Sequence, residues 1–158
     1  MNKKVSAGLM MYRFRNGILE ILLAHPGGPF FKNKDSGWWS IAKGEPDENE
    51  DLLETAKREF KEETGITPEG NYVPLDSIVQ KGGKTVYAWA FEGDAELGNV
   101  SKSNTFEAEW PPHSGKKMIF QEIDKIEFFP VDTAKKKIKE AQVKLIERLE
   151  EYLKNKQS

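Results

Sequence analysis

Three glutamates near the middle of the chain have the residue type and the spacing of a metal site. Glu59, Glu62 and Glu63 stand at positions i, i+3 and i+4 within the segment ETAKREFKEETGI. On a helix, residues at these separations share a face, so the three carboxylates would converge and repel one another unless a cation lay between them. A hard divalent cation with oxygen ligands meets that requirement. The spacing therefore predicts a site for such a cation.

The helix that must carry these glutamates is predicted over Glu50 to Thr64. Apolar residues recur at helical spacing, acidic residues crowd the start, and Gly65 is placed to end it. At about 100° per residue, one stripe contains Leu52, Ala56, Glu59 and Glu63, and the opposite side contains Glu54, Lys57 and Lys61. An ordinary solvated glutamate–lysine helix is the alternative, but its acidic residues would not extend the apolar, core-facing stripe.

Arg58 lies in the middle of this acidic group. Glu54 and Glu62 stand four residues before and after it on the predicted helix. Arg58 is therefore either one member of an ordinary helix salt bridge or a guanidinium group that orients the glutamates for catalysis.

The segment from Gly44 to Ile66, GEPDENEDLLETAKREFKEETGI, resembles the complete signature of the Nudix hydrolases. The matched positions are Gly44, Glu50, Arg58-Glu59-Phe60, Glu62-Glu63 and Gly65-Ile66. The resemblance implies hydrolysis of a nucleoside diphosphate linked to another group. It implies Mg²⁺ or Mn²⁺ held by Glu59, Glu62 and Glu63, with a backbone carbonyl at Gly44 as a further ligand. It also implies one Nudix domain over residues 1–158, an α/β/α sandwich with a mixed β-sheet between helices.

Such a site would promote attack of water on one phosphorus of a diphosphate bridge. Metal ions would neutralise the charge of the bridge and lower the pKa of the water, while a nearby carboxylate takes its proton. We expect Glu59 to be that base.

The resemblance leaves the identity of the nucleotide open. The approach to the signature, from Trp39 to Gly44, is similar to the Pro-Lys-Gly approach of dinucleoside tetraphosphate hydrolases, with Ala42 in place of the proline. The downstream tyrosine of those enzymes is replaced by Lys81 to Gly83, and the proline typical of ADP-ribose pyrophosphatases is absent there as well. We rank a dinucleoside polyphosphate first, a noncanonical or oxidised nucleoside triphosphate second and a capped or triphosphorylated RNA 5′ end third. A nucleotide sensor without turnover is the alternative to an enzyme, and the intact glutamates argue against it.

Composition limits the classes of protein to which the chain can belong. Its 158 residues, 37% of them hydrophobic, suit one globular domain. A net charge of −2 gives no broad basic surface for nucleic acid, and no apolar run is long enough to cross a membrane. The absence of cysteine excludes a disulfide and a thiolate metal site. The start, MNKKVSAGLMMYRF, lacks the features of a signal peptide, and with no cysteine in the chain we expect a cytoplasmic protein. The resemblance implies a small-molecule nucleotide as its partner.

The residues before the signature predict a hairpin and a loop. Val5 to Phe14 and Ile18 to His25 are strand-like and flank an Asn-Gly turn signal. His25 is either structural or a metal or phosphate ligand. Among four aromatic residues in the loop that follows, Trp39 and Phe31 either pack in the core or contact the substrate by stacking on its base.

Lys43 stands directly before the signature glycine. An ammonium group at this position can neutralise a substrate phosphate, and the glycine lets the backbone approach closely. The sequence therefore predicts that Lys43 binds the substrate.

After the signature, strands are predicted over Tyr72 to Gln80 and Thr85 to Phe91, followed by a loop over Glu92 to Asn104. The next strand, Thr105 to Trp110, alternates so that Glu107 and Glu109 share one face. They are either the solvated face of an edge strand or, as the resemblance implies, the source of a further metal ligand, for which we expect Glu107.

The end of the chain predicts a loop, a strand and one helix. Pro111 to Lys117 is rich in structure breakers, and Ile126 to Val131 is strand-like. Asp132 is the predicted N-cap of a helix whose buried side carries Ile138, Gln142, Leu145, Leu149 and Tyr152 or Leu153.

Overall fold

The computed structural model describes residues 4–97 and 105–156, so the second half of the predicted 92–104 loop lies outside it. The elements in chain order are β1 (Val5–Arg15), β2 (Ile18–Pro26), β3 (Ala42–Gly44), α1 (Leu52–Thr64), β4 (Val73–Val79), β5 (Thr85–Glu92), β6 (Thr105–Glu109), β7 (Lys117–Gln121), β8 (Ile123–Pro130), α2 (Val131–Lys137), a 3₁₀ turn (Glu140–Gln142) and α3 (Val143–Lys156). None of the helices in these two ranges is long and apolar enough to cross a membrane.

The hairpin of β1 and β2 forms where the sequence predicts it. Asn16 and Gly17 have φ angles of 54° and 76°, which are the positive values needed at both central positions of a type I′ turn. This turn fixes the register in which Tyr12 pairs with Ile21.

Strand β1 is the centre of a six-stranded mixed sheet with the order β4-β5-β1-β2-β8. β5 runs parallel to it, whereas β2 and β3 pair antiparallel with it along its other edge. On that edge β2 pairs with the second half of β1, and β3 pairs with the first half, where Leu9 lies opposite Ala42. The short strand β3, which leads into α1, is thereby fixed to the middle of the sheet.

Alternation along β1 divides the core into two layers. Leu9 and Met11 belong to the layer beneath α1, and Met10 and Tyr12 to the layer beneath α2 and α3. Phe60 anchors α1 and is 1% exposed; truncation of such a buried phenylalanine typically costs about 3–5 kcal/mol. The predicted α/β/α sandwich with a mixed sheet is confirmed.

Helix α1 begins at Leu52, two residues after the predicted Glu50, because Asp51 occupies the N-cap and accepts a hydrogen bond from a backbone N–H of the first turn. Gly65 ends the helix in a left-handed conformation with φ 76°. Glu63 is buried as the phase of the pattern predicts. The core-facing stripe of the helix therefore does become acidic in its last turns.

The single C-terminal helix predicted after Asp132 is wrong. The backbone is extended at Ile138 and Lys139, and it separates α2 from the 3₁₀ turn and α3. The cause is long-range pairing, since Trp39 forms a β-bridge with Ile138 and its carbonyl accepts a hydrogen bond from the Lys139 N–H. Pro130, not Asp132, stands at the N-cap of α2. The predicted buried side is confirmed for Ile138, Gln142, Leu145 and Leu149.

Strand β7 is absent from the sequence prediction. It pairs with β6 as a separate two-stranded sheet, in which Phe106 lies opposite Phe120. Met118 and Ile119 of β7 are 47% and 71% exposed, so this strand lacks the buried, alternating pattern by which strands are identified. β8 also begins at Ile123, three residues before the predicted start.

Candidate active site

Glu59 of α1 lies directly against Gly44 of β3. A Cβ atom at position 44 would overlap the Glu59 carboxyl group, so this approach requires glycine. The Glu59 side chain is 14% exposed, and burial raises the pKa of its carboxyl group, although the Arg58 guanidinium acts in the opposite direction. The strand that precedes α1 and the last turns of α1 therefore meet at this carboxylate.

Glu63 is the most deeply buried glutamate of the cluster. It is 7% exposed, and burial, followed by the charge of Glu59, raises its pKa to about 8. The backbone N–H of Lys43 donates to this carboxylate, but the Oε2 atom is buried without a hydrogen-bond partner. Because a buried unpartnered polar atom is costly, a cation at this position would stabilise the carboxylate.

Arg58 is held by Glu50 and in turn holds two glutamates of the cluster. Its Nε and Nη2 atoms donate to the two Glu50 oxygens at 2.9 and 2.8 Å, and this contact is the main reason that the pKa of Glu50 falls to about 2. Its Nη1 atom donates to Glu59 at 2.9 Å and to Glu62 at 3.3 Å. Glu54 pairs with a lysine of its own helix instead. These contacts fit the orienting role better than an isolated helix salt bridge.

The donor atoms of this cluster fit a hard divalent cation. Three carboxylates and the carbonyl of Gly44 are the oxygen ligands that Mg²⁺ and Mn²⁺ prefer. As the side chains stand, no three acidic or histidine residues of the described chain surround a common point, and the Arg58 guanidinium bridges Glu59 and Glu62. A cation would compete with the guanidinium for these two carboxylates and would meet the unpartnered oxygen of Glu63.

Lys43 contributes differently through its backbone and its side chain. Its backbone N–H donates a hydrogen bond to the Glu63 carboxylate. Alternation along β3 directs its side chain to the face of the sheet opposite Gly44. Burial, followed by the charges of Lys139 and Lys84, lowers the pKa of the half-buried ammonium group to about 8. A phosphate would relieve this repulsion among three lysines, which fits the predicted contact between Lys43 and the substrate.

A protein-family model described as the NUDIX domain matches residues 2–149 of the chain. The chain belongs to the Nudix family. The carboxylate cluster described above is thus the Nudix signature as folded, with Gly44 and Glu59 in contact. No curated protein sequence gives a significant match.

Several solved structures share the Nudix fold of this chain. The NUDIX domain of Shewanella oneidensis NrtR complexed with ADP ribose is 17% identical, with a TM-score of 0.67, over 97% of this chain and 90% of that one. The C. elegans Ap4A hydrolase in a binary complex is 22% identical, with a TM-score of 0.65, over 95% and 98%. S. oneidensis NrtR complexed with a 27mer DNA is 18% identical, with a TM-score of 0.60, over 96% and 63%. At these identities the likeness shows the fold alone.

A cavity of about 880 Å³ lies beside Lys139, one of the two lysines whose charges act on Lys43. Its basic side chains include Lys139, Lys144 and Arg148, and Trp38 contributes an aromatic wall. After burial, the positive charge of Lys139 is the largest cause of the lowered pKa of Lys43. The cavity therefore adjoins Lys43, whose backbone N–H bonds a carboxylate of the cluster.

Among the aromatic residues, the structure contradicts the assignment of Trp39 to the substrate. Trp39 is 3% exposed, and its ring packs edge-on against Phe129 in the core. Phe31 is half-buried with its ring 5.7 Å from that of Trp38. Trp38 is 38% exposed and lines the cavity, so its ring is open to a ligand there.

The two downstream glutamates of β6 bond to partners outside the cluster. Glu107 is exposed and its carboxylate lies 3.6 Å from Lys117 across the β6–β7 pair, while Glu109 accepts a hydrogen bond from a backbone N–H of the following turn. Burial is the main cause of the raised pKa values of Glu59 and Glu63, and the charge of Glu122 adds a smaller contribution to both. Glu122 lies between β7 and β8, and no local pattern in the sequence marks this junction.

Proposed function

We propose that this Nudix domain hydrolyses a diphosphate linkage in a nucleoside polyphosphate or nucleoside diphosphate derivative. Mg²⁺ or Mn²⁺ would be held by Glu59, Glu62, Glu63 and the carbonyl of Gly44. The observation that carries this proposal is the buried, unpartnered oxygen of Glu63 within an intact cluster of signature carboxylates. A buried carboxylate with a raised pKa and one unpartnered oxygen is typical of a functional site.

Glu59, Arg58 and Lys43 each have a separate role in the proposed reaction. When bound, the cation would supply charge neutralisation at the diphosphate and a lowered pKa for the attacking water. Glu59, whose pKa is raised by burial, accepts the proton of that water as its oxygen attacks one phosphorus. The bond to the bridging oxygen breaks, and the other phosphate leaves. Arg58 holds Glu59 in place, and Lys43, from the opposite face of β3, neutralises charge on the phosphates of the substrate.

A dinucleoside polyphosphate is our first choice of substrate. The basic residues of the cavity next to Lys43 suit a chain of several phosphates, and the exposed ring of Trp38 suits a nucleobase. A noncanonical or oxidised nucleoside triphosphate is the second choice. The same residues would then bind the triphosphate.

A non-catalytic nucleotide sensor is the second candidate function, because solved neighbours include NrtR bound to DNA. The two functions are distinguished by product chromatography over a panel of dinucleoside polyphosphates, nucleoside triphosphates and ADP ribose with Mg²⁺. Turnover of a dinucleoside polyphosphate supports the first proposal. Binding without any product supports the sensor.

Divalent cations are expected to raise the melting temperature of the free protein. A ligand that binds only the native state stabilises it by RT ln(1 + [L]/Kd), about 2.7 kcal/mol at a hundredfold excess over Kd. Thermal denaturation with Mn²⁺ or Mg²⁺ should show this increase, and EDTA should reverse it. The same melting curve from zero to tens of millimolar cation would count against a native metal site.

The downstream carboxylates are expected to differ in their effect on the metal requirement. Glu122→Gln should raise the Mg²⁺ concentration for half-maximal rate and lower activity roughly ten- to a hundredfold, as changes around a metal site commonly do. Kinetics of Glu107→Gln and Glu109→Gln provide the comparison. A larger effect of Glu107→Gln would return this role to the residue that the family pattern favours.

A further inference from the structure

Gln142, in the 3₁₀ turn before α3, is a buried polar residue that the proposed reaction does not use. It is 0% exposed, and both polar atoms of its amide group have partners. Its Oε1 atom accepts a hydrogen bond from the N–H of Ile41 at 3.1 Å. Its Nε2 atom donates to the hydroxyl oxygen of Ser40 at 2.9 Å and to the Oε1 atom of Gln80 at 2.8 Å. The orientation of the amide is fixed, because the backbone N–H of Ile41 can only donate.

These hydrogen bonds join three segments that are far apart in the sequence. Ser40 lies 102 positions before Gln142, and Gln80 lies 62 positions before it. Ser40 is also paired through its backbone with Ala24 of β2, and the N–H of Gln142 donates to the carbonyl of Lys139 at 2.8 Å. One amide group therefore connects the end of the loop after β2, the residue that follows β4 and the turn that precedes α3.

The same three segments form the walls of the 880 Å³ cavity. The loop after β2 contributes the Trp38 ring, and β4 with its following turn contributes Gln80. The basic side chains between Lys139 and Arg148 come from the third segment. Gln142 is buried directly behind this basic wall, so its amide connects it to the other two walls.

We propose that Gln142 is a positioning residue whose amide sets the spacing between the Trp38 ring and the basic wall of the cavity. The inference rests on the proposed function, in which the ring contacts a base of the nucleotide and the basic wall contacts its phosphates. Since a base and its phosphates are covalently joined, both walls can bind them together only when the spacing is correct. A buried polar network in which every group has a partner is rigid and specifies one arrangement. An apolar side chain of similar size would fill the space without fixing the spacing.

Gln142→Met and Gln80→Met remove the amide contacts with little change in side-chain volume. With a dinucleoside tetraphosphate and Mg²⁺, each variant should raise KM roughly tenfold and leave kcat within about twofold, because the contacts affect binding and not the reacting atoms. The double variant should resemble Gln142→Met alone, since both changes break the same hydrogen bond. Mn²⁺ binding to the nucleotide-free protein, measured by electron paramagnetic resonance of the free ion, should match the wild type.

Two inhibitors test whether the spacing of the walls is what changes. A nucleoside diphosphate has a base and phosphates, so both variants should bind it roughly tenfold more weakly than the wild type does. Inorganic triphosphate has no base, so its inhibition constant should stay as in the wild type. Ile146→Val is the control for lost stability alone, because Ile146 is 0% exposed in the core layer beneath α2 and α3.

Thermal denaturation verifies that each variant is folded. If Gln142→Met does not fold, Gln80→Met decides, because Gln80 is half-buried and its loss leaves the N–H of Ile41 bonded. An unchanged KM in folded Gln80→Met, or an equal rise in KM in Ile146→Val, would overturn the inference and leave Gln142 with a structural role alone. Equal weakening of both inhibitors would overturn it as well. A wild type that hydrolyses no dinucleoside tetraphosphate would instead reject the proposed substrate, and this inference with it.

Discussion

Glu63→Gln is expected to lower kcat by roughly two to four orders of magnitude while the protein stays folded. The substitution removes the negative charge of the buried carboxylate that would meet the cation, and metal ions commonly contribute several kcal/mol to the transition state. The fold should survive, because glutamine has the same shape and the buried oxygen of Glu63 has no hydrogen-bond partner to lose. Steady-state kinetics at saturating Mg²⁺ and a melting curve measure the two effects.

Glu62→Gln should also lower kcat. Glu54→Gln is the matched control. Glu54 is exposed on the opposite side of α1, where its carboxylate pairs with Lys57 at 3.0 Å. Loss of such a surface pair costs only about 0–1 kcal/mol of stability and leaves the site untouched. Wild-type activity in both signature variants at saturating Mg²⁺ would remove Glu62 and Glu63 from the metal site.

The second large expected effect is a loss of stability of the metal-free protein as the pH rises from about 4.5 to about 8. The folded state holds the proton of Glu63 up to a pKa of about 8, whereas the ordinary value is 4.5. The folded state therefore binds more protons than the unfolded state in this window, and the free energy of unfolding falls as these protons are lost. The total effect is on the order of a few kcal/mol.

Urea denaturation between pH 4.5 and pH 8 in EDTA measures this loss. Glu63→Gln should flatten the profile and should be more stable than the wild type at pH 8. Glu50 has a pKa of about 2. Its contribution to the free energy of unfolding is therefore lost only below this window, as the pH falls. Lys43, with a pKa of about 8, changes the free energy of unfolding mainly above this window. A profile for Glu63→Gln that matches the wild type would mean that Glu63 is not buried as a carboxylic acid.

Local sequence patterns were sufficient for the parts of the fold that are set by neighbours in the chain. The hairpin at Asn16-Gly17 follows from a two-residue signal, and α1 follows from its apolar period and from Gly65 at its end. The same period predicted that Glu63 would face inward. The three signature glutamates could therefore be placed together from the sequence, since their arrangement depends on one helix.

Features set by distant pairing could not be predicted in this way. The helix break at Ile138 depends on a bridge to Trp39, which is 99 positions away in the chain. The same packing buries Trp39 and leaves its neighbour Trp38 exposed, although the two have the same residue type. The position of Glu122 depends on the register of β8 against β2, including a bulge. These contacts carry no local signal, because each is decided by a partner far along the sequence.

In the proposed reaction, water attacks a phosphorus of the substrate at the carboxylate cluster of α1 with the help of a divalent cation. Hydrolysis of a dinucleoside polyphosphate in ¹⁸O-labelled water, followed by mass spectrometry of the products, tests it most directly. We expect one labelled oxygen per turnover in one of the two phosphate-bearing products with Mg²⁺, and almost no product with EDTA or with Glu63→Gln. Equal product formation with EDTA, or nucleotide binding without product from any member of the panel, would contradict the claim.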